Sequence, residues 1–272
     1  MKERFVAIRR DDRFSPNSVE PDLLILRSVC EILKQGGHTD HEITIVDEAD
    51  FEQCPIEAEI YLSMARSVGA LRVLGQLEER GSGAVNSAHA VENCSRERLD
   101  RLMRENQIAM PPEEGRYGYW LKRGDEAAQS KEDVVFCRDA AALSRAREEF
   151  RQRGVKSAVV SAHVPGDVVK FYGVGTRMFR YFYPTDDGIS KFGDEQHNGK
   201  AHHYPFSERQ LRLEAEKLSR LTGVLAYGGD AIIDEQGHFY IIDFNDWPSF
   251  SRCRVEAAEA IAAEALACRK QL

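Results

Sequence analysis

Short apolar stretches alternate with amphipathic stretches over the first part of the chain. Phe5 to Ile8 and Ile60 to Met64 are typical of buried strands, whereas Pro21 to Gln35 and Val68 to Glu79 place apolar residues at a helical period. Strands that alternate with helices favour a parallel sheet with helices on both faces. Residues 1–90 are therefore predicted to form a doubly wound α/β domain.

The pattern changes after this region, because short strands become more frequent than helices. Residues 118–183 predict a small sheet with one charged helix. Near the end of the chain, Ala231 to Ile233 and Phe239 to Ile242 are apolar and are separated by a turn at Gly237. Two short apolar runs around such a turn predict a β-hairpin.

Polar side chains flank the two strands of this hairpin. Asp230 precedes the first strand, and Asp243 and Asn245 follow the second. Because side chains two apart on a strand share a face, the three are expected to gather near one end of the hairpin. Carboxylate and amide oxygens are suitable ligands for Mg²⁺ that also holds phosphate oxygens. We therefore consider a metal site for a nucleotide, with an ordinary polar-ended hairpin as the alternative.

Composition narrows the class of protein. The chain has 272 residues and a net charge of -8, with Lys and Arg spread throughout, so no nucleic-acid partner is indicated. No apolar run approaches the roughly 18 residues that a membrane span needs, and the first residues lack a signal-peptide pattern. The six cysteines form no C-x-x-C pair, which argues against a zinc module or a disulfide framework. We predict a soluble, cytoplasmic protein without a membrane partner.

Two further groups of charged residues are candidates for ligand contacts. Arg9, Arg10 and Arg13 follow the first strand, at the edge where parallel sheets bind ligands, so they either contact an anionic substrate or lie solvated at the surface. Residues 184–206 are polar and long for a connection, which is typical of a binding or mobile loop. This loop carries Lys191, His197, Lys200, His202 and His203.

The order of these features resembles the ATP-grasp superfamily. A parallel domain is followed by a small sheet bearing Lys122, a strand-linker-strand unit, and a two-carboxylate hairpin that closes with Asp243-x-Asn245-x-x-Pro248. The resemblance covers essentially the whole chain. It implies a pre-ATP-grasp domain at 1–90 and an ATP-grasp domain at 91–272. The latter would comprise a small nucleotide-binding subdomain, 118–163, and a metal-binding catalytic subdomain, 164–272.

The resemblance also implies ATP and Mg²⁺ as cofactors and a role for each matching residue. Lys122 matches the lysine on the nucleotide phosphates, and Val159 to Gly166 resembles the linker that reads the adenine edge. The implied purine contacts are Ser161, Ala162, His163 and Val164, with Asp167 in place of the usual ribose-binding glutamate. Lys170 would reach the γ-phosphate, Arg180 would stabilise the charged intermediate, and Asp230, Asp243 and Asn245 would hold Mg²⁺, with Asn245 also counted as catalytic. Arg96 or Arg98 would replace a second phosphate lysine.

Three functions are compatible with this resemblance. The leading one is a ligase that activates a small-molecule carboxylate as an acyl phosphate for attack by an amine or thiol. The segment from His163 through Lys170 to Gly175, together with Asp243-x-Asn245, also resembles inositol polyphosphate kinases, which favour aspartate where many ligases have glutamate. A kinase acting on a polyol or inositol phosphate is therefore the alternative. The third is a non-catalytic nucleotide-binding protein.

Overall fold

The computed structural model describes residues 4–124, 131–187 and 200–268. Within these ranges the strands form one parallel sheet and two antiparallel sheets. No helix in the same ranges is both long and apolar enough to cross a membrane.

The parallel sheet comes first in the chain. Its strands are β1 (Phe5–Arg9), β2 (Thr44–Asp47), β3 (Ile60–Ser63) and β4 (Gly83–Val85), in the order β2-β1-β3-β4. The helices of this part are α1 (Val19–Gln35), α2 (Glu48–Gln53), α3 (Val68–Glu79) and α4 (Ala88–Asn93). Alternate residues of β1 face opposite helix layers: Phe5 and Ala7 belong to the core that includes α1, and Val6 and Ile8 to the core that includes α3. The predicted doubly wound sheet is confirmed.

The smaller antiparallel sheet follows helix α5 (Arg96–Glu105). It consists of β5 (Tyr119–Arg123), β6 (Val134–Cys137) and β7 (Ala158–Ala162), in the order β6-β5-β7. Helix α6 (Ala140–Gln152) covers one face, where Leu121 of β5 packs with Leu143 and Phe150. Because strand residues alternate between faces, Trp120 and Lys122 lie on the face away from α6.

The larger antiparallel sheet has four strands in the order β11-β10-β8-β9. They are β8 (Asp167–Val174), β9 (Met178–Phe182), β10 (Ala226–Ile233) and β11 (Phe239–Asp246), with helices α7 (Glu208–Thr222) and α8 (Arg254–Cys268). Leu211 and Leu218 of α7 pack against one face, through Phe171 and Phe244. Helix α8 packs against α1 of the parallel domain. The polar residues of the hairpin project from the face of the large sheet that is opposite to α7.

The hairpin strands are longer than the sequence predicts. β10 begins at Ala226 instead of Ala231, because Gly228 and Gly229 lie inside the strand. A Cβ atom at Gly229 would overlap the carbonyl oxygen of Asp243 and the Phe171 ring. Glycine therefore allows close packing at this point of the sheet. The helices α2 and α4 were not predicted, since six residues are too few to show a helical period.

The close packing at Gly229 predicts a specific loss of stability. Gly229→Ala is expected to reduce the free energy of unfolding by about 1–3 kcal/mol, because the added methyl group has no room. Gly75→Ala is the matched control: in the interior of α3 its Cβ would lie 3.7 Å from Ala88, an ordinary contact. Removing the backbone freedom of that glycine is expected to stabilise the chain by roughly 0.5–1 kcal/mol. Urea unfolding measures both, and equal effects would contradict the packing described here.

Candidate active site

Strand register places the predicted charged residues on one face of the large sheet. Asp230 on β10 lies opposite Lys170 on β8 and opposite Asp243 on β11. Residues two apart on a strand, and residues paired directly across strands, project to the same face. Arg180 joins this face because it lies opposite Tyr172, two residues after Lys170. The sheet therefore brings Lys170, Arg180, Asp230, Asp243 and Asn245 together on one face.

A β-bulge is responsible for the position of Asp243. Ala231 pairs with Ile241, a register that would place Ile242 opposite Asp230. The register shifts between Asp230 and Ala231, and Asp243 takes the opposite position instead. Because a one-residue shift turns every following side chain to the other face, the bulge converts an apolar partner of Asp230 into a carboxylate.

The polar atoms on this face already contact one another. The ammonium of Lys170 lies 2.6 Å from Oδ1 of Asp230, and Nδ2 of Asn245 donates to Oδ2 of Asp243 at 2.6 Å. The second bond directs the amide nitrogen of Asn245 to a carboxylate, so its oxygen is the atom suited to a cation. Among the described residues no group of three His, Cys, Asp or Glu is arranged to hold a metal ion. Two carboxylates and one amide oxygen nevertheless fit Mg²⁺, a cation that prefers oxygen ligands and keeps several waters.

The pKa of Asp230 reflects the charged groups around it on this face. Burial raises the pKa of Asp230, Lys170 lowers it, and Asp243 raises it again, so that the pKa lies above the usual value. The pKa of Lys170 is also raised: burial alone would lower it, but Asp230 outweighs burial. The repulsion between the two carboxylates contributes to the raised pKa of Asp230, and a divalent cation bound between them would reduce this repulsion.

Lys122 reaches this face from the smaller sheet. Its ammonium donates to the carbonyl oxygen of Ile242 at 3.0 Å. Ile242 is the extra residue of the bulge, and bulge residues lack a regular ladder partner. Burial lowers the pKa of Lys122, against the opposing effect of Asp243. Lys122 thus joins the two antiparallel sheets beside the carboxylates, at the place where the sequence predicts a phosphate contact.

The predicted purine linker, Ser161 to Val164, joins the two antiparallel sheets. Its backbone is held by the preceding segment, since the amide of Ala162 donates to Pro112 and that of His163 to Gly118. The indole N–H of Trp120 donates to Nδ1 of His163 at 3.2 Å. Because an indole nitrogen can only donate, this bond assigns Nδ1 as the unprotonated ring nitrogen. The linker therefore has a fixed course between the sheets.

Asp167 has a different role from the predicted ribose contact. Its side chain is 1% exposed, and its two carboxylate oxygens accept the backbone N–H groups of His202 and Tyr204 at 2.7 and 2.9 Å. A carboxylate with so little exposed surface is poorly placed to bind a ribose hydroxyl. In the structure Asp167 anchors the segment that leads into α7, and the ribose contact stays a prediction that these bonds do not favour.

The candidate residues of the loop at 184–206 are only partly described by the structure. Lys191 and His197 lie outside the described residues. Lys200 is exposed, and His202 stacks on Tyr204. His203 lies beside Tyr183, with Nε2 3.1 Å from Asp186. Packing contacts therefore account for both described histidines.

The arginines that the sequence predicts to contact phosphate or the charged intermediate already have partners in the folded chain. Arg180 forms an ion pair with Glu256 at 2.9 Å, and Arg96 donates to the carbonyl of Arg123, next to Lys122. Arg98 pairs with Glu92 instead. Of the two arginines considered as a second phosphate contact, Arg96 is therefore the one beside Lys122.

The arginines after β1 were expected either to bind an anion or to be solvated, and Arg10 does neither. It is 6% exposed and pairs with Asp22 and Asp246. Arg66, which follows β3, pairs with Asp246 as well. Sequence reasoning missed Arg66 and Asp246. The sequence contained two indications of their role. Asp246 adjoins Asn245, and Arg66 follows a parallel strand at the edge where such sheets bind ligands.

This ion cluster keeps Asp246 charged. Burial alone would raise the pKa of Asp246, but Arg66 and Arg10 outweigh burial and lower it below the usual value. The end of β11 is therefore linked by charge to the parallel domain.

Known proteins resemble this chain in structure more than in sequence. No protein-family model matches the sequence, and no curated protein matches it significantly. D-alanine–D-alanine ligase from Bacillus anthracis superposes with a TM-score of 0.67 at 11% identity, covering 98% of this chain and 99% of that one. A RimK-domain ATP-grasp protein from Sphaerobacter thermophilus gives 0.63 at 20% identity, covering 96% and 99%. The ATP-grasp ligase PsnB, solved with its minimal precursor, gives 0.62 at 15% identity, covering 98% and 100%.

This chain has the ATP-grasp fold. The superpositions span the parallel domain and both antiparallel sheets, so the architecture predicted from the sequence order is confirmed. Within this ATP-grasp architecture, the face that bears Asp230 and Asp243 is the candidate active site.

If Asp230 holds Mg²⁺ as the sequence predicts, its raised pKa implies that metal binding depends on pH. A metal ligand must be deprotonated, and a carboxyl group with a raised pKa takes up its proton at a higher pH than an ordinary aspartate. Mg²⁺-dependent nucleotide binding is therefore expected to weaken as the pH falls, beginning above the range in which unperturbed aspartates titrate. Calorimetric titration with a non-hydrolysable ATP analogue at several pH values measures this. An affinity that is constant until ordinary carboxylates titrate would contradict it.

Proposed function

We propose that this chain is an ATP- and Mg²⁺-dependent ligase that activates a small-molecule carboxylate as an acyl phosphate for attack by an amine or thiol. The observation that carries the proposal is the common face of Lys170, Asp230, Asp243 and Asn245, with Lys122 reaching it from the other sheet. The shared fold with two proteins described as ligases, one of them an ATP-grasp ligase, supports it.

Each residue has a role that follows from its charge and position. Asp230, Asp243 and Asn245 would hold Mg²⁺, which neutralises phosphate charge and orients the γ-phosphoryl group. Lys122 and Lys170 supply ammonium groups for phosphate oxygens, as point charges without directional preference. Arg180 on the same face would stabilise charge at the reacting carboxylate. Ser161 to Val164 would contact the purine, because this linker lies between the two sheets.

The proposed reaction has two steps. An oxygen of the substrate carboxylate attacks the γ-phosphorus of ATP, the bond to the bridging oxygen breaks, and ADP leaves. The amine or thiol then attacks the acyl carbon, loses a proton, and displaces inorganic phosphate. The protein contributes positioning and charge stabilisation, without a covalent bond to the chain.

Candidate substrates come from the proteins that share the fold. One of them is named for joining two D-alanine molecules, another was solved with a precursor, and structures with ATP or with Mg and ADP exist among them. Amino acids and short peptides are therefore the first carboxylates and amines to test.

A kinase is the second candidate. The specific observation in its favour is Asp243, which occupies the position opposite Asp230 where many ligases of this fold have glutamate. In that case a polyol or inositol phosphate hydroxyl would attack the γ-phosphorus, and no amine or thiol would be needed.

Replacing one metal ligand tests the site directly. Asp243→Ala is expected to lower ATP turnover by roughly 100-fold or more, because a direct ligand is lost. The chain is expected to stay folded with little change in melting temperature, because relief of the repulsion between Asp243 and Asp230 offsets the lost hydrogen bond from Asn245. Glu235→Ala, at the exposed tip of the same hairpin, is the control and should retain turnover. Full turnover by a folded Asp243→Ala variant would exclude the proposed site.

Product analysis separates the two reactions. The chain is incubated with ATP, Mg²⁺ and a panel of amino acids, short peptides and polyols, and products are identified by mass spectrometry. For the ligase, we expect ADP, phosphate and an amide or thioester only when a carboxylate and an amine or thiol are both present. A phosphorylated polyol formed without an amine or thiol would favour the kinase and contradict the ligase.

A further inference from the structure

The last strand of the sheet ends in a buried ion cluster that the proposed chemistry does not use. Asp246 is 2% exposed, and its Oδ1 lies 2.6 Å from Nη2 of Arg66. Its Oδ2 lies 3.3 Å from Nη2 of Arg10 and 3.4 Å from Nε of Arg66. Arg10 also donates to the carbonyl oxygens of Asp246 and Trp247, at 3.3 and 3.0 Å. Both the side chain and the backbone at the end of β11 are therefore held.

The two arginines are themselves fixed by the parallel domain. Arg10 donates through Nη1 to Asp22 at 3.1 Å and through Nε to the carbonyl of Met64 at 3.3 Å. Arg66 is fixed through its backbone, since its amide donates to Glu48 at 2.8 Å.

Glu48 organises this edge of the parallel sheet. Its side chain is buried, with the residue 1% exposed, and it also accepts the amides of Asp11 and Ser67 at 2.6 and 2.7 Å. One carboxylate therefore fixes the segments after β1 and β3 together. The cluster thus has a rigid base on the parallel domain and its contact point on β11.

The contact point lies next to the proposed metal ligands. Asp246 follows Asn245 directly, and Asn245 is bonded through its side chain to Asp243. A displacement of the end of β11 would move both ligands, because a strand transmits shifts along its backbone. Mg²⁺ demands near-ideal geometry, so small displacements of its ligands reduce affinity.

We propose that Asp246 and Arg66 are positioning residues, which hold Asp243 and Asn245 in place for Mg²⁺ by fixing the end of β11 against the parallel domain. This inference rests on the proposed function, since it concerns the same metal site. It adds a role for the N-terminal domain: that domain sets the geometry of the metal end of the cleft.

A cluster that only stabilises the fold, or that acts only through its charge, would respond differently to substitution. In the first case, loss of the cluster lowers the melting temperature and leaves the Mg²⁺ requirement unchanged. In the second, removing the positive charge of Arg66 strengthens Mg²⁺ binding, whereas removing the negative charge of Asp246 weakens it. Positioning predicts that both changes weaken Mg²⁺ binding.

The experiment measures binding of the non-hydrolysable analogue AMP-PNP to the full chain by calorimetry, over a series of Mg²⁺ concentrations. The variants are Asp246→Asn, Arg66→Gln and Arg66→Lys. The last keeps the charge but loses the planar fork that contacts both carboxylate oxygens. The control is Arg212→Gln, because Arg212 pairs with Glu216 and the carbonyl of Thr176, away from the cluster.

We expect all three variants to raise the half-saturating Mg²⁺ concentration about tenfold or more, and the control to leave it unchanged. Opposite shifts for Asp246→Asn and Arg66→Gln, or a normal Mg²⁺ requirement for Arg66→Lys, would overturn the positioning role in favour of charge. Unchanged Mg²⁺ requirements with lowered melting temperatures would overturn it in favour of stability alone. If Asp246→Asn does not fold, the two Arg66 variants decide between these outcomes.

Failure of this inference is distinguishable from failure of the proposed function. A wild-type chain that binds no AMP-PNP at any Mg²⁺ concentration would overturn the proposed function. A wild-type chain that binds AMP-PNP with Mg²⁺, and variants that match it, would overturn only the positioning role of Asp246 and Arg66.

Discussion

One extra residue in the pairing of β10 with β11 decides which side chains face the cleft. Without the bulge at Ile242, an apolar side chain would oppose Asp230, and Asp243 would project to the other face. The bulge also presents a carbonyl oxygen, which the ammonium of Lys122 binds from the smaller sheet. The same local irregularity therefore assembles the carboxylate pair and connects the two sheets that enclose it.

Much of the fold could be predicted from periodicity, because most strands and helices are short, regular and separated by polar turns. The length of β10 was underestimated, because Gly228 and Gly229 have low strand preference. Glycine is required at Gly229 by close packing that only the folded sheet shows. The common face of Asp230, Asp243 and Asn245 was expected from side-chain alternation. The bulge that makes this alternation work has no signal in the local sequence.

Interactions across long sequence separations were the least predictable. Arg10 and Asp246 are 236 positions apart, and nothing near Arg10 indicates that its guanidinium is buried. The bonds of Asp167 were unexpected for a similar reason, because its partners, His202 and Tyr204, belong to a distant segment. Because isolated buried charges are costly, such residues are paired in the folded chain, and the identity of the pairs emerges only from the tertiary structure.

Helix α8 is the last described helix, yet it completes the core that the first strands begin. Ala257, Ile261 and Ala265 belong to the same apolar core as Phe5 of β1 and Leu26 of α1. During synthesis on the ribosome, the first strands emerge long before this helix. The apolar surface that α8 covers therefore stays without this helix until translation has passed residue 268. Contacts between such distant segments close slowly, so the order of synthesis leaves the nascent N-terminal half dependent on the C-terminal half for its final packing.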